Sequence, residues 1–231
     1  MTGPGLGQLE ALPALEASLT RRFRTTTTAI VIGDRRIEML HPASADDLID
    51  QEAFDLDERL PYWAELWPSS RVLAERLTRE NGAGLRLIEL GCGAGLVAVS
   101  AAAAGFRVTA TDYYDDALAF TWVNVARNTG HSVDTRLVDW RALEGDLHHF
   151  DRVVGADVLY ERPYGALVAR AVAATLSPGG TATIADPGRV GREDFLREVG
   201  TLGLAIESVE QVPHIDGAIR QSIAVFQCVW R

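Results

Sequence analysis

The sequence predicts an α/β fold: a Rossmann-like sheet of seven strands, mostly parallel and ending in an antiparallel C-terminal hairpin. Helices cover both faces, and a helix and a hairpin are appended at the N-terminus. Three observations carry this reading. From Leu85 onward, short apolar and β-branched runs alternate with segments whose apolar residues recur at helical spacing, the pattern of a parallel sheet. The first of these runs ends in a glycine-rich loop, Glu89-Leu90-Gly91-Cys92-Gly93-Ala94-Gly95, which passes directly into an Ala- and Val-rich helix. The last two runs, near 204–212 and 219–230, have no helical segment between them and should pair antiparallel.

The elements follow in order. Pro13 opens a short helix with Leu15 and Leu19 one turn apart. Residues 23–32 are rich in Thr and β-branched side chains, and the turn-like Gly33-Asp34 separates them from Ile37-Glu38-Met39-Leu40, which makes a hairpin. His41-Pro42 and the acidic stretch 46–57 form a loop with one helical turn at most. Pro68 starts a helix carrying Val72, Leu73, Arg76 and Leu77 on its spacing, and Asn81-Gly82 stops it. Strand and helix then alternate: a strand at 85–90, a helix at 95–104 closed by Gly105, a strand at 106–111 and a helix at 115–128. Strands near 132–138 and 151–157 come next, then a helix at 163–176. Ser177-Pro178-Gly179-Gly180 reads as a turn before a strand at 181–185, and a helix at 191–201 leads to the final hairpin. The chain divides at about residue 60, into an appendage (1–60) and one α/β domain (61–231). No repeat or low-complexity linker interrupts it.

Composition narrows the function. The 231 residues carry a net charge of −10, with 47% hydrophobic and 23% charged residues, as in a globular enzyme. That charge argues against broad binding to nucleic-acid backbones, which needs clustered Lys and Arg. Cys92 and Cys228 are two isolated thiols, neither a disulfide framework nor a metal-ligand set. His148-His149 has no acid or cysteine at metal spacing, so no metal is expected. The N-terminus lacks the charged and apolar regions of a signal peptide, and the longest apolar run, 94–106, is short of the roughly 18–20 residues that cross a bilayer. These features point to a cytoplasmic protein without a membrane partner.

The glycine loop identifies the ligand class. A strand, a tight loop and a helix N-terminus bring backbone N–H groups close to a ligand, and both dinucleotides and S-adenosylmethionine use such loops. The dinucleotide fingerprint G-x-G-x-x-G wants its third glycine at position 96, which is Leu96. Glu89 would repel a pyrophosphate but attract the ammonium and sulfonium of S-adenosylmethionine, so Glu89, Gly91, Gly93 and Gly95 favour the latter. Cys92 reads as a small packing residue. Asp112, at the end of the second strand of the sheet and 21 residues beyond Gly91, can accept hydrogen bonds from both ribose hydroxyls. Tyr113 can pack on the adenine, or be a half-buried surface aromatic. The loop carrying Asp139 and Trp140 reaches the adenine in such a sheet, although a plain turn is nearly as good a reading. In Gly155-Ala156-Asp157-Val158-Leu159-Tyr160, Asp157 and Tyr160 stand where open α/β sheets bind their ligands. Trp67 is, by composition, better explained as a hydrophobic anchor than as a ligand contact. Asp186-Pro187-Gly188-Arg189 is a turn, from which Arg189 could face substrate or cofactor.

Together these motifs resemble the seven-β-strand protein-lysine methyltransferases over roughly residues 60–190. The matching residues are Trp67-Pro68, the loop from Glu89 to Gly95, Asp112, Asn124 with Asn128, Trp140, and Gly155 to Tyr160. The resemblance implies cofactor contacts for Trp67, Gly91, Cys92, Gly93, Asp112, Trp140 and Ala156, and an acid-x-x-aromatic signature in Asp157 and Tyr160. Pro61-Tyr62-Trp63, Leu66-Trp67-Pro68 and Asp186 to Arg189 look most like the branch that modifies the electron-transfer flavoprotein β subunit, which makes that protein the first candidate partner. The implied reaction moves a methyl group from S-adenosylmethionine to a lysine ε-amine. Asp157 holds and aims the amine, Tyr160 walls the channel, and the proton leaves to water. A small-molecule N-methyltransferase and a non-catalytic S-adenosylmethionine-binding regulator are the alternatives. An intact Asp157-x-x-Tyr160 speaks against the regulator, which has no use for an acceptor pocket.

Overall fold

A computed structural model describes residues 6–45, 48, 61–143, 147, 149–216 and 219–231. The acidic loop expected over 46–57, apart from Leu48, the domain boundary expected at residue 60, and His148 lie outside the described residues. After a 3-10 turn, Leu6–Ala11, comes α1 (Leu12–Arg22), with its proline in the first turn as the sequence predicts. β1 (Thr25–Ile32) and β2 (Arg35–Pro42) form an antiparallel hairpin in full register from Thr25 opposite Pro42 to Ile32 opposite Arg35. A second 3-10 turn, Tyr62–Ala64, precedes α2 (Pro68–Leu77).

The main sheet is built from β3 (Arg86–Leu90), β4 (Arg107–Asp112), β5 (Asp134–Leu137), β6 (Phe150–Ala156), β7 (Leu176–Asp186), β8 (Leu204–Asp216) and β9 (Ile219–Trp230). Its strand order is β5-β4-β3-β6-β7-β9-β8; the first five run parallel, and β9 pairs antiparallel with both β7 and β8. The helices α3 (Leu96–Ala103), α4 (Asp115–Thr129), α5 (Arg162–Thr175) and α6 (Arg192–Thr201) supply the crossovers. The expected turn at 177–180 is displaced into a strand. Leu176 already pairs with Phe150, the ladder shifts register, and Thr181 resumes pairing with Arg152, so these four residues form an irregular stretch within β7.

The reversal of strand order falls between β3 and β6, where one crossover runs left to β4 and the next returns past β3. This is where open α/β sheets leave a crevice at their carboxyl ends. Two apolar clusters cover the sheet. One holds Leu87, Val97, Val99, Phe120 and Val123. The other centres on Ile88, Val153, Val168, Val172, Ile184 and Phe195.

The N-terminal elements share the first of these clusters. Leu19 of α1 and Ile30, Ile37, Met39 and Leu40 of the hairpin are buried in it. Polar contacts fix the hairpin to α4. Asn124 accepts the Leu40 N–H at Oδ1 (2.8 Å) and donates from Nδ2 to the Leu40 and Ala94 carbonyls (both 2.8 Å). One turn later, Asn128 takes the Glu38 N–H (2.9 Å) and returns a bond to its carbonyl (3.1 Å). The two amides therefore replace a strand partner along the outer edge of β2. Asn124 is fully buried, and replacing it by alanine leaves several buried backbone groups without partners. Asn124→Ala should lower unfolding free energy by about 2–4 kcal/mol, read by urea denaturation. A change within about 0.5 kcal/mol, the range of an ordinary surface substitution, would show that this link does not hold the hairpin.

Candidate active site

A cleft opens at the carboxyl ends of β3, β4, β5 and β6, closed on one side by the segment around the Tyr62–Ala64 turn and the start of α2. Trp67, Glu89, Gly91, Cys92, Gly93, Gly95, Asp112, Tyr113, Asp139, Trp140, Ala156, Asp157 and Tyr160 all line it. The loop after β3 owes its shape to its glycines. Gly95 has φ +90°, and a Cβ there would stand 2.6 Å from Thr121 Oγ1 and 2.8 Å from the Thr121 Cα. The close approach of α4 is used: Thr121 donates to the Gly93 carbonyl (2.9 Å) and to Cys92 Sγ (3.3 Å). Cys92 is buried, and burial beside Asp112 and Glu89 pushes its thiol well above the usual range, which suits packing and not nucleophilic chemistry.

Two carboxyls sit beside this loop. Asp112 Oδ2 accepts the Gly93 N–H (2.9 Å) and Oδ1 the Tyr114 N–H (3.1 Å), tying the loops after β3 and β4 together. Burial raises its pKa to about 6, although these N–H groups pull in the opposite direction. Glu89 is 2% exposed, and its Oε2 has no hydrogen-bond partner among the described residues. Burial, reinforced by Asp112, holds it well above the ordinary carboxyl range. A buried carboxyl oxygen without a partner, on an acid that lines a cleft, calls for a donor or a cation.

Beyond these acids, Tyr113 (41% exposed) lies under the Arg141 guanidinium, whose carbon is 5.7 Å from the ring centroid. Arg141 also grips Asp139, with Nε 3.0 Å from Oδ1 and a terminal nitrogen 2.8 Å from Oδ2. The Asp139 carboxylate is thus already paired. Trp140 covers Gly91, where a Cβ would come within 3.4 Å of the indole, and its buried Nε1 has no partner among the described residues.

The acceptor side holds a contact that the sequence does not announce. Asp157 is not an open carboxylate. It leaves β6 with φ +60°, and no other described non-glycine residue has positive φ. Its Oδ1 accepts Arg189 Nε (2.5 Å) and its Oδ2 accepts Ser69 Oγ (3.2 Å). The Arg189 guanidinium also stands 5.1 Å from the Trp67 ring centroid, a cation–π arrangement. Three separate motifs, Trp67-Pro68, Asp157-x-x-Tyr160 and Asp186 to Arg189, therefore meet around one ion pair, Asp157 with Arg189. Trp67 serves both of its readings: its Nε1 anchors to the Tyr62 carbonyl (2.9 Å) while the residue lines the cleft. Tyr160 meets Tyr62 edge-on (ring centroids 5.2 Å apart) and Tyr164 at a tilt (4.8 Å), and burial raises its hydroxyl pKa far out of the physiological range. Sequence reasoning missed Ser69, Tyr62 and Tyr164 as parts of the site. Tyr164 carried a signal, since it lies in the first turn of the helix that directly follows the Asp157-x-x-Tyr160 turn. Ser69 carried none.

Comparison with known proteins follows the same lines. The profile of a family described as lysine methyltransferase matches residues 61–185. The mouse protein-lysine methyltransferase METTL21E is 33% identical over 116 residues, 45% of this chain and 47% of its own length. The ubiquinone biosynthesis O-methyltransferase of Methylocella silvestris is 39% identical over 131 residues, covering 53% and 49%. The electron transfer flavoprotein beta subunit lysine methyltransferase of Danio rerio is 29% identical over 138 residues, covering 58% and 53%. The chain spans about half the length of these relatives.

Proposed function

The chain belongs to the lysine methyltransferase family, and we propose that it transfers a methyl group from S-adenosylmethionine to a lysine ε-amine of a protein substrate. The observation that carries this is the meeting of two unlike ends in one cleft. A glycine loop with two buried acids, Glu89 and Asp112, suits a cationic nucleoside. Beside it, the Asp157–Tyr160 turn with its aromatic wall suits an alkyl amine. The cofactor fits the residues present. Glu89 brings the buried, unpartnered oxygen that an ammonium or sulfonium requires, Asp112 an acceptor for ribose hydroxyls, and Trp67, Tyr113, Trp140 and Ala156 the surrounding contacts.

When bound, S-adenosylmethionine supplies a methyl group already activated by its sulfonium. The protein's share is positioning and exclusion of water. Gly91, Cys92, Gly93 and Gly95 let the backbone approach. Tyr62, Trp67, Tyr160 and Tyr164 form an apolar sleeve around an alkyl chain, worth more to an amine that has lost its proton than to an ammonium. Asp157, fixed by Ser69 and Arg189, orients the nitrogen, and the proton goes to water.

The electron-transfer flavoprotein β subunit is the first partner to try, supported by the relative from Danio rerio and by the motif resemblance. An acidic chain of net charge −10 also suits a basic patch on a protein surface. The relative from Methylocella silvestris favours a second reading, transfer to a small molecule through the same cofactor site. The proposed setting is the cytoplasm, in keeping with two buried free thiols, Cys92 and Cys228. No helix among the described residues is long and apolar enough to cross a membrane. Labelled methyl appearing in protein rather than in soluble amines is the test of this reading.

A further inference from the structure

We propose that Arg189 is a positioning residue that neutralises Asp157, so that the acceptor amine meets a charge-balanced wall and sheds its proton there instead of being held as an ammonium. The inference rests on the lysine-methylation reading above.

A bare buried carboxylate beside a lysine would work against methyl transfer. An opposite charge within about 4–6 Å stabilises the ammonium and raises its pKa by 1–3 units, and an ammonium has no lone pair to give. The geometry removes that obstacle. Arg189 Nε binds Asp157 Oδ1, and the Asp157 side chain is only 4% exposed, so the pair is one neutral unit. The guanidinium is also held from behind. Asp186 takes the Gly188 N–H (3.0 Å) and the Arg189 N–H (3.1 Å), which fixes the turn from which Arg189 projects. Arg192 in turn balances Asp186, with Nε 2.6 Å from Oδ2. Trp67 supplies an aromatic face for the same guanidinium. Burial, with Asp186 pushing the same way, raises the Asp157 pKa above the ordinary carboxyl value, and Arg189, ahead of Ser69, is the main group opposing that shift.

The other charged groups near the turn do not replace Arg189. Asp186 is already paired, Glu65 and Glu161 are acids at the cleft, and Glu89 and Asp112 belong to its cofactor end. Nor do Tyr160 and Tyr164 supply a cation. Arg192 is committed to Asp186, so removing Arg189 leaves Asp157 with the neutral Ser69 hydroxyl and with the ammonium of the acceptor as the cation to take the place of the guanidinium.

The test compares Arg189→Gln and Arg189→Lys with the unchanged protein on a lysine acceptor that the latter methylates. In Arg189→Gln the midpoint of the rise of kcat with pH should move up by about one unit or more, so that activity lost at pH 7 returns in alkaline buffer. The affinity for S-adenosylmethionine should hold, which also reports that the variant is folded. Arg189→Lys keeps the charge and should stay near the unchanged profile. Without any acceptor, carboxyl NMR of the free protein should show the Asp157 titration moved up in Arg189→Gln only. A uniform loss of kcat at every pH, or an unmoved Asp157 titration, overturns the inference and leaves the methylation reading standing. Absence of lysine methylation by the unchanged protein overturns both.

Discussion

Asp157→Asn is expected to abolish most methyl transfer, by about a hundredfold or more, while leaving the affinity for S-adenosylmethionine nearly intact. Losses of that order follow from misplacing a reacting group by about an ångström. Asparagine keeps the size of the side chain and tolerates the positive φ of this position, so the turn survives. What it loses is the charge that Arg189 and Ser69 hold in place. An uncompensated guanidinium then faces the acceptor, repels its ammonium on approach and no longer aims the nitrogen. Arg189 is 34% exposed along its side chain and can find water, which limits the damage to stability. Steady-state kinetics with calorimetry separates the two effects. Equal losses in turnover and in cofactor affinity would place Asp157 in the cofactor site or in the fold.

Asp112→Ala should act on the opposite end, weakening S-adenosylmethionine by at least about a hundredfold. Two charge-assisted bonds to ribose hydroxyls, each of roughly 1.5–3 kcal/mol, set this scale. Loss of the Gly93 and Tyr114 N–H contacts would loosen the same loop and add to the effect. The pH dependence provides a signature. The Asp112 pKa stands at about 6 in the free protein, above its ordinary 3.8. Between those values the folded state binds more protons than the unfolded one, so this carboxyl's contribution to stability falls as pH rises through the window. Binding behaves the other way. The ionised carboxylate is the better acceptor, so affinity should rise as pH climbs through about 6. Much of that rise should vanish in Asp112→Ala, and Glu89, also raised by burial, accounts for the remainder. Unchanged affinity in the variant would remove Asp112 from the ribose site.

Much of this arrangement was legible in the sequence because it is local. Strand and helix periods mark the seven strands of the main sheet, and the break from helical crossovers after 201 marks the terminal hairpin. The glycine loop announces itself through spacing and the adjacent Glu89. Hidden were the relations that link distant positions. Ser69 and Arg189 lie 88 and 32 residues from Asp157, and no local pattern says that they share its carboxylate. Asn124 and Asn128 sit one turn apart on an amphipathic helix, yet that spacing does not say that they clasp the backbone of Leu40 and Glu38 some 84 to 90 residues away. The stretch 177–180 misled for a different reason. Its Pro-Gly-Gly chemistry is that of a turn, but pairing of Leu176 with Phe150 extends β7 across it. The clamp of Arg141 on Asp139 spans only two residues, yet no regular spacing rule for a loop announces it.

The most direct measurement gives the protein methyl-labelled S-adenosylmethionine together with the purified electron-transfer flavoprotein β subunit and, in parallel, a lysate of the source organism. Label should enter protein, peptide mass analysis should place it on lysine ε-nitrogens, and a Lys→Arg change at the modified position should abolish it. Methylation should also slow as salt is added, because long-range attraction to an acidic chain is screened. Label confined to low-molecular-weight amines, with none in any protein, would contradict the assignment and put small-molecule methyl transfer in its place.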